Sequence, residues 1–293
     1  RFCGEYFRSL EIRKSTNTRK NYAYDLGVFF YFLKTNNPYF KDKDIHTLPI
    51  EVLDMITAMD VEEYLSYLES YTKDGKLYTN REEGKARKLS SLKSFYDYYF
   101  KKNLIRTNPP RQVDVPKIKN KNIIRLDPNE IAQLLDEAES GEKLSGRQLA
   151  SHEKTKVRDV AILTLLLGTG IRVSECVGLN LEDVDFNNGA IRIIRKGGNE
   201  ALIYFGDEVS QALEAYMNGP RKTAEPAAGH EEALFISLNK TRITTRSVER
   251  LVKKNSRLVT TVKKITPHKL RSTFGTALYQ ETGDIYLVAD TLG

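Results

Sequence analysis

Apolar positions recur at helical spacing through most of the first hundred residues. Between 16 and 35, Tyr22, Leu26, Phe29, Phe30 and Leu33 fall on one helical face. Leu89, Leu92, Phe95, Tyr96 and Tyr99 stripe another helix, and between the two, Asp60 with Glu63 three residues on reads as a capped helix start. An aromatic stripe at this spacing reads as core rather than as a stacking platform. Asn108-Pro109-Pro110 stops the helical region, and Pro116 keeps the next stretch extended.

A new region opens at Asp127-Pro128-Asn129-Glu130, which supplies an N-cap, a first-turn proline and an acid that closes the box. The boundaries predicted are a helical domain over 1–112, a linker over 113–125 and a second domain over 126–293. The stretch 140–156 reads as a polar loop and 157–168 as helix, broken at Thr169-Gly170 before a short helix carrying Arg172 and Glu175. Two alternating runs, "AIRIIR" and "EALIYF", flank a Gly-Gly turn and make a β-hairpin with Lys196 at its tip. Helices follow near 207–217, 245–258 and 266–280, the last opened by Thr266-Pro267. The expected fold is mainly α with a small β-hairpin or sheet, a helical first domain and a mixed α+β second domain.

Composition narrows the class. The chain has 293 residues, 40% hydrophobic and 29% charged, which excludes a disordered or fibrous chain. No apolar run reaches the roughly 18 residues that cross a bilayer, and "RFCGEYFRSLEIRK" lacks the apolar core of a signal peptide. Cys3 and Cys176 form no disulfide framework, so a reduced, cytoplasmic protein is expected. The net charge of +7 points to a polyanionic partner. Residues 101–125 hold eight Lys or Arg against one acid, Asp114. Within that run, Lys117, Lys119 and Lys121 are candidate contacts to such a polyanion, as are Arg81, Lys85, Arg87, Lys88 and Lys93 opposite the aromatic stripe; a solvated linker is the plainer reading of the run.

The candidate chemistry sits at element ends. Arg172 follows a glycine break, Lys196 tops a hairpin, and His268 and Arg271 share a face in the first turns of one helix. Forked guanidiniums match two oxygens of a phosphodiester under in-line attack, and a lysine or histidine can protonate the leaving oxygen. The helix N-terminus adds positive potential. Singly, each residue has a plainer role: Arg172 paired to Glu175, Lys196 an exposed turn lysine, His268 a cap. No clustered carboxylates, His-x-x-His or Cys-x-x-Cys suggests a metal centre.

"LLLGTGIRVSECVGL" (165–179) resembles the first arginine box of the tyrosine recombinases, the phage-integrase family, with its T-G-x-R-x-S-E pattern. "TPHKLRSTFGTALY" resembles the second box, H-x-L-R-H-T-F-A-T, and "IIRKGGNEALIYF" the hairpin that carries the family's lysine. The order and spacing fit, and the layout is closest to the Xer-type recombinases. The resemblance implies a core-binding domain before the linker and a catalytic domain after it. It assigns Arg172 and Arg271 to the scissile phosphate, Lys196 to the leaving 5′ oxygen, His268 to acid/base work and Glu175 to support of the arginine. Ser272 stands where the family has histidine, and Cys176 where leucine is common. "VADTLG" matches the approach to the family's Leu-Gly-His motif, which places the tyrosine nucleophile beyond Gly293; Tyr279 and Tyr286 come too early. The implied reaction is site-specific breakage and rejoining of double-stranded DNA through a 3′-phosphotyrosine, without ATP, metal or other cofactor, by a tetramer on two sites. Residues 1–293 by themselves are expected to be inactive. The rivals are a type IB topoisomerase and a DNA-binding protein of this fold without catalysis.

Overall fold

Ser15 accepts a hydrogen bond from the Thr18 N–H and starts α2 (Thr16–Asn36), which follows α1 (Phe2–Glu11). The predicted face of α2 is the buried one: Leu26, Phe29, Phe30 and Leu33 point inward, with Tyr22 half-buried. In this computed structural model the described residues are 2–41, 43, 44, 47–118, 122–195 and 197–293. They fall into two compact units, Arg1–Lys121 and Asn122–Gly293.

In the first unit α3 (Ala58–Tyr67) is capped by Thr57, not by Asp60. Asp60 is the third residue of the helix, and its carboxylate accepts from the Thr57 N–H at 2.8 Å, so the capping box is shifted one turn from the expected one. A hairpin, β1 (Ser70–Lys73) and β2 (Lys76–Thr79), interrupts what the pattern read as continuous helix. Asp74 and Gly75 both take positive φ, 52° and 71°, the two-residue turn that Asp-Gly favours. The Tyr71 and Tyr78 rings stack across the pair at 5.3 Å. Next comes α4 (Glu82–Lys101), whose stripe Leu89, Leu92, Phe95, Tyr96 and Tyr99 is buried as expected. Phe95 meets Tyr6 edge-on at 5.2 Å, and the Tyr99 hydroxyl donates to the Phe2 carbonyl, which fastens α1 to α4. Removing a buried ring of this kind costs about 3–5 kcal/mol. The helix ends near Asn103, at φ 56°; Pro109-Pro110 does not stop it but opens a one-turn helix, α5 (Pro109–Gln112), because proline suits a first turn.

The second unit starts with α6 (Pro128–Ser140), capped by Asp127 and Glu130 as the sequence implies. The expected polar loop at 140–156 contains a helix, α7 (Gly146–Glu153), started by a Ser145–Gln148 capping box and hidden by its polar composition. The central element is α8 (Lys156–Thr169), packed against α6, α10 (Asp207–Tyr216) and α12 (Pro267–Thr282). Burial on nearly every side explains its continuous apolar run. Gly170 ends α8 at φ 62°, and a Cβ there would strike the Phe274 ring, so glycine is required. The short α9 (Val173–Gly178) follows. An antiparallel sheet in the order β3 (Val184–Asp185), β4 (Ala190–Ile194), β5 (Glu200–Tyr204) contains the predicted hairpin, with Ile191 opposite Ile203. After α10 come α11 (Thr245–Val259), α12 and a helix not expected from the pattern, α13 (Ile285–Leu292), capped by Asp284. Among the described residues no helix is long and apolar enough to cross a membrane.

Candidate DNA-cleavage site

The turn after α8 delivers Arg172 as the residue preceding α9. Glu175, buried one turn later, takes the Arg172 backbone N–H at 2.6 Å on one oxygen and its Nη1 at 2.9 Å on the other. The internal ion pair therefore exists, and it fixes the guanidinium while leaving Nη2 to bond elsewhere. Nη2 donates to the Gly293 carbonyl at 2.7 Å. From α12, Arg271 donates to the Gly170 carbonyl at 2.8 Å and, through Nη2, to the Leu292 carbonyl. Burial pulls the Arg271 guanidinium below its ordinary pKa; the neighbouring charges of Arg172 and Arg195 add to the effect, and Glu175 opposes it.

His268 lies in the first turn of α12, one turn before Arg271, with an exposed ring that makes no hydrogen bond among the described residues. Lys196 lies outside the described residues. Its flanks are described: the Arg195 N–H donates to the Asn199 carbonyl at 2.7 Å, and Gly197 and Gly198 hold φ of 101° and 88°, which close the turn.

Sequence reasoning passed over Arg195. Its guanidinium joins the same place, donating through Nη2 to the Asp290 and Thr291 carbonyls at 3.1 and 3.0 Å. Four successive carbonyls at the C-terminal end of α13, 290 to 293, thus accept from three guanidiniums. A helix C-terminus is partially negative and attracts cations. The signal in the sequence was strand parity, since Arg195 shares the phase of the buried Ile191 and Ile193.

Of the candidate contacts on α4, four are engaged internally. Lys85 pairs with Glu82 at 3.2 Å and Glu69 at 3.6 Å. Lys88 donates to the Asn80 side chain at 2.7 Å, and its burial lowers its pKa. Arg87 bonds the buried Asp25, and Lys93 donates to the Val113 carbonyl at 2.9 Å. Arg81 is exposed at the helix start, as is Lys117 in the linker; Lys119 and Lys121 lie outside the described residues.

A basic face that the sequence reading missed lies on α11. Arg246, Arg250, Lys253 and Arg257 are exposed, spaced along one side, and have no carboxylate partner among the described residues. The opposite side, Val248, Leu251 and Val252, is buried. The alternation of these two sets at helical spacing was readable in advance.

The profile of the phage integrase family matches residues 124–293. The tyrosine recombinase XerC of Caldanaerobacter subterraneus subsp. tengcongensis is 33% identical over 283 residues, 94% of this chain and 73% of that protein. The chain belongs to the phage integrase family of tyrosine recombinases. As a member it is a site-specific recombinase acting on DNA. XerC of Syntrophus aciditrophicus is 32% identical over 292 residues, covering 98% of this recombinase and 86% of the relative. Its fold is similar to that of a lambda integrase dimer bound to a COC′ core site, with a TM-score of 0.67, 18% identity, and coverage of 100% of this chain and 93% of that one. A XerH recombinase bound to its difH substrate gives 0.66 at 20% identity, over 94% and 72% of the two chains.

Proposed function

We propose that this recombinase cleaves and rejoins DNA at a phosphate held by Arg172 and Arg271. The observation that carries the reading is the convergence of these two guanidiniums, from different elements, on adjacent carbonyl oxygens of residues 292 and 293. Both guanidiniums aim donors at oxygen acceptors, and among the described residues Glu175, on the Arg172 side, is the one carboxylate bonded to either of them. A tyrosine following the Leu-Gly of 292–293 attacks phosphorus. The 5′ oxygen leaves with a proton from Lys196, and the DNA 3′ phosphate remains on the tyrosine. A 5′ hydroxyl of the partner duplex reverses the step, so the bond energy stays in the phosphotyrosine. His268, one turn from Arg271, is the base that takes the proton the tyrosine hydroxyl loses as it attacks. The residues before the linker act as a core-binding domain and those after it as the catalytic domain, and four protomers assemble on two sites.

The test is a nicked suicide substrate and a denaturing gel. The protein from the complete coding sequence should give a DNA-linked band, whereas a polypeptide of residues 1–293 should bind duplex DNA without one. Tyr279 and Tyr286 are exposed but precede the motif that places the nucleophile. A covalent band from the shorter polypeptide would move the nucleophile into residues 1–293.

Affinity should come from the exposed charge. If the linker and α11 neutralise about six phosphates, log K should fall against log salt with a slope near −5. Replacing Lys117, Lys119 and Lys121 by Gln, or Arg246, Arg250 and Arg257 by Gln, should make the slope shallower by about one to three units. An unchanged slope would leave that segment a solvated surface.

A further inference from the structure

We propose that Arg242 is a positioning residue for cleavage, which holds the C-terminal end of α9 and thereby the Glu175 carboxylate that fixes Arg172. The inference rests on the reading of Arg172 as a phosphate-binding residue. Arg242 precedes α11, in a stretch that pairs back on itself through the Ile236–Arg242 bridge. Its Nη1 donates to the carbonyls of Val177, Gly178 and Leu179 at 3.1, 3.0 and 2.7 Å. Its Nη2 donates to the Asn180 side-chain oxygen at 2.5 Å. One guanidinium thus covers four consecutive residues at the end of α9. Toward the start of the same helix, Glu175 takes the Arg172 backbone N–H and Nη1.

The partners of Arg242 argue against an ordinary surface role. A half-buried cation needs compensation, yet among the described residues Arg242 has no carboxylate partner, whereas Arg158 and Arg192 pair with Asp159 and Asp183. The α9 carbonyls supply the compensation, since the last carbonyls of a helix lack partners within it and form the negative end of its dipole. At six residues, Val173–Gly178, α9 is too short to be a stable helix by itself. Backbone pairing holds the chain after it: the Leu234 N–H donates to the Leu179 carbonyl and the Leu181 N–H to the Glu232 carbonyl, both at 2.9 Å. Arg242 reaches further back, to residues 177 and 178 of the helix itself, and Glu175 lies two residues before Val177. A misplacement of about 1 Å in a positioned group can cost about 10²-fold in rate. Two residues beyond Arg242, Thr244 caps α11. The helix with the exposed basic face and the helix that presents Arg172 therefore share this side chain at their junction.

The experiment uses the recombinase from its complete coding sequence and follows single-turnover formation of the covalent DNA complex. Arg242→Ala and Arg242→Lys are each made alone and together with Arg172→Ala. Lysine keeps the charge at the helix end but cannot fork over several acceptors, so Arg242→Lys should melt near the unmodified protein. Each single Arg242 variant should cleave about tenfold or more slowly than the unmodified enzyme. DNA affinity should stay within about threefold, because binding spreads over many phosphates. In the Arg172→Ala background the same substitutions should change the rate by less than about threefold, because the group that Arg242 aligns is gone. Equal losses in both backgrounds would overturn the proposal, since they would mark a folding defect or a separate contact; so would an undiminished rate in the single variants. Arg172→Ala alone is the reference for the reading beneath it. If that variant cleaves at the unmodified rate, Arg172 does not hold the phosphate, and amide hydrogen exchange in Arg242→Lys then decides the anchor. Faster exchange at the Arg172 and Cys176 amides, with α8 unchanged, upholds it, and unchanged exchange at these two amides removes it.

Discussion

Arg172→Ala is expected to slow formation of the covalent DNA complex by about 10²–10³ while site binding stays within a few-fold. Binding spreads over many phosphates, so one contact is a small part of affinity. The developing charge at one phosphorus has few donors, and a preorganised one acts on the transition state alone. Arg172 is preorganised: Glu175 takes both its backbone N–H and its Nη1. Truncation also strips the buried Glu175 of its ion partner, and a broken buried pair can cost about 3–5 kcal/mol. Arg172→Lys therefore belongs beside it. Lysine keeps the charge but cannot fork between carboxylate and phosphate, so this variant should melt near the unmodified protein and still cleave slowly. Covalent yields at the unmodified level from either variant would take Arg172 out of the site.

Lys196→Ala is expected to reduce cleavage of the ordinary substrate by about 10²–10³, within the range for losing a general acid, and a 5′-bridging sulfur should restore most of it. The expectation stands on the geometry around the residue. Strand β4 brings the chain to the site, Arg195 fastens the strand end to α13, and the paired glycines turn the chain back. Failure of the sulfur substrate to restore the rate would exclude Lys196 as the donor.

Much of the fold was legible where one physical signal dominated. The α4 stripe, the Asp127 capping box and the Gly170 break each rest on spacing or backbone freedom that no tertiary contact overrides. The β1–β2 turn was readable too, since Asp74-Gly75 is a strong hairpin signal, but the surrounding helical periodicity masked it. The helix α7 was hidden because its capping box, not an apolar face, starts it. At the site, Arg172 and Arg271 announced themselves through their boxes. Arg195 did not, because the carbonyls it bonds, those of Asp290 and Thr291 on α13, meet it only after folding.

The lysines of α4 also govern how binding experiments on this protein will read. Lys85 and Lys88 are buried among Glu69, Glu82 and Asn80, and Asn80 in turn donates to the Leu68 carbonyl at 2.8 Å. They stitch the hairpin to α4 from within. In a charge-neutralising screen scored only by retention on DNA, such positions would be counted among the contacts, although what they lose is the shape of the unit that carries them. Chemical acetylation of accessible lysines separates the two kinds: Lys117 and Lys253 face solvent and react, whereas Lys85 and Lys88 are shielded until the helices part.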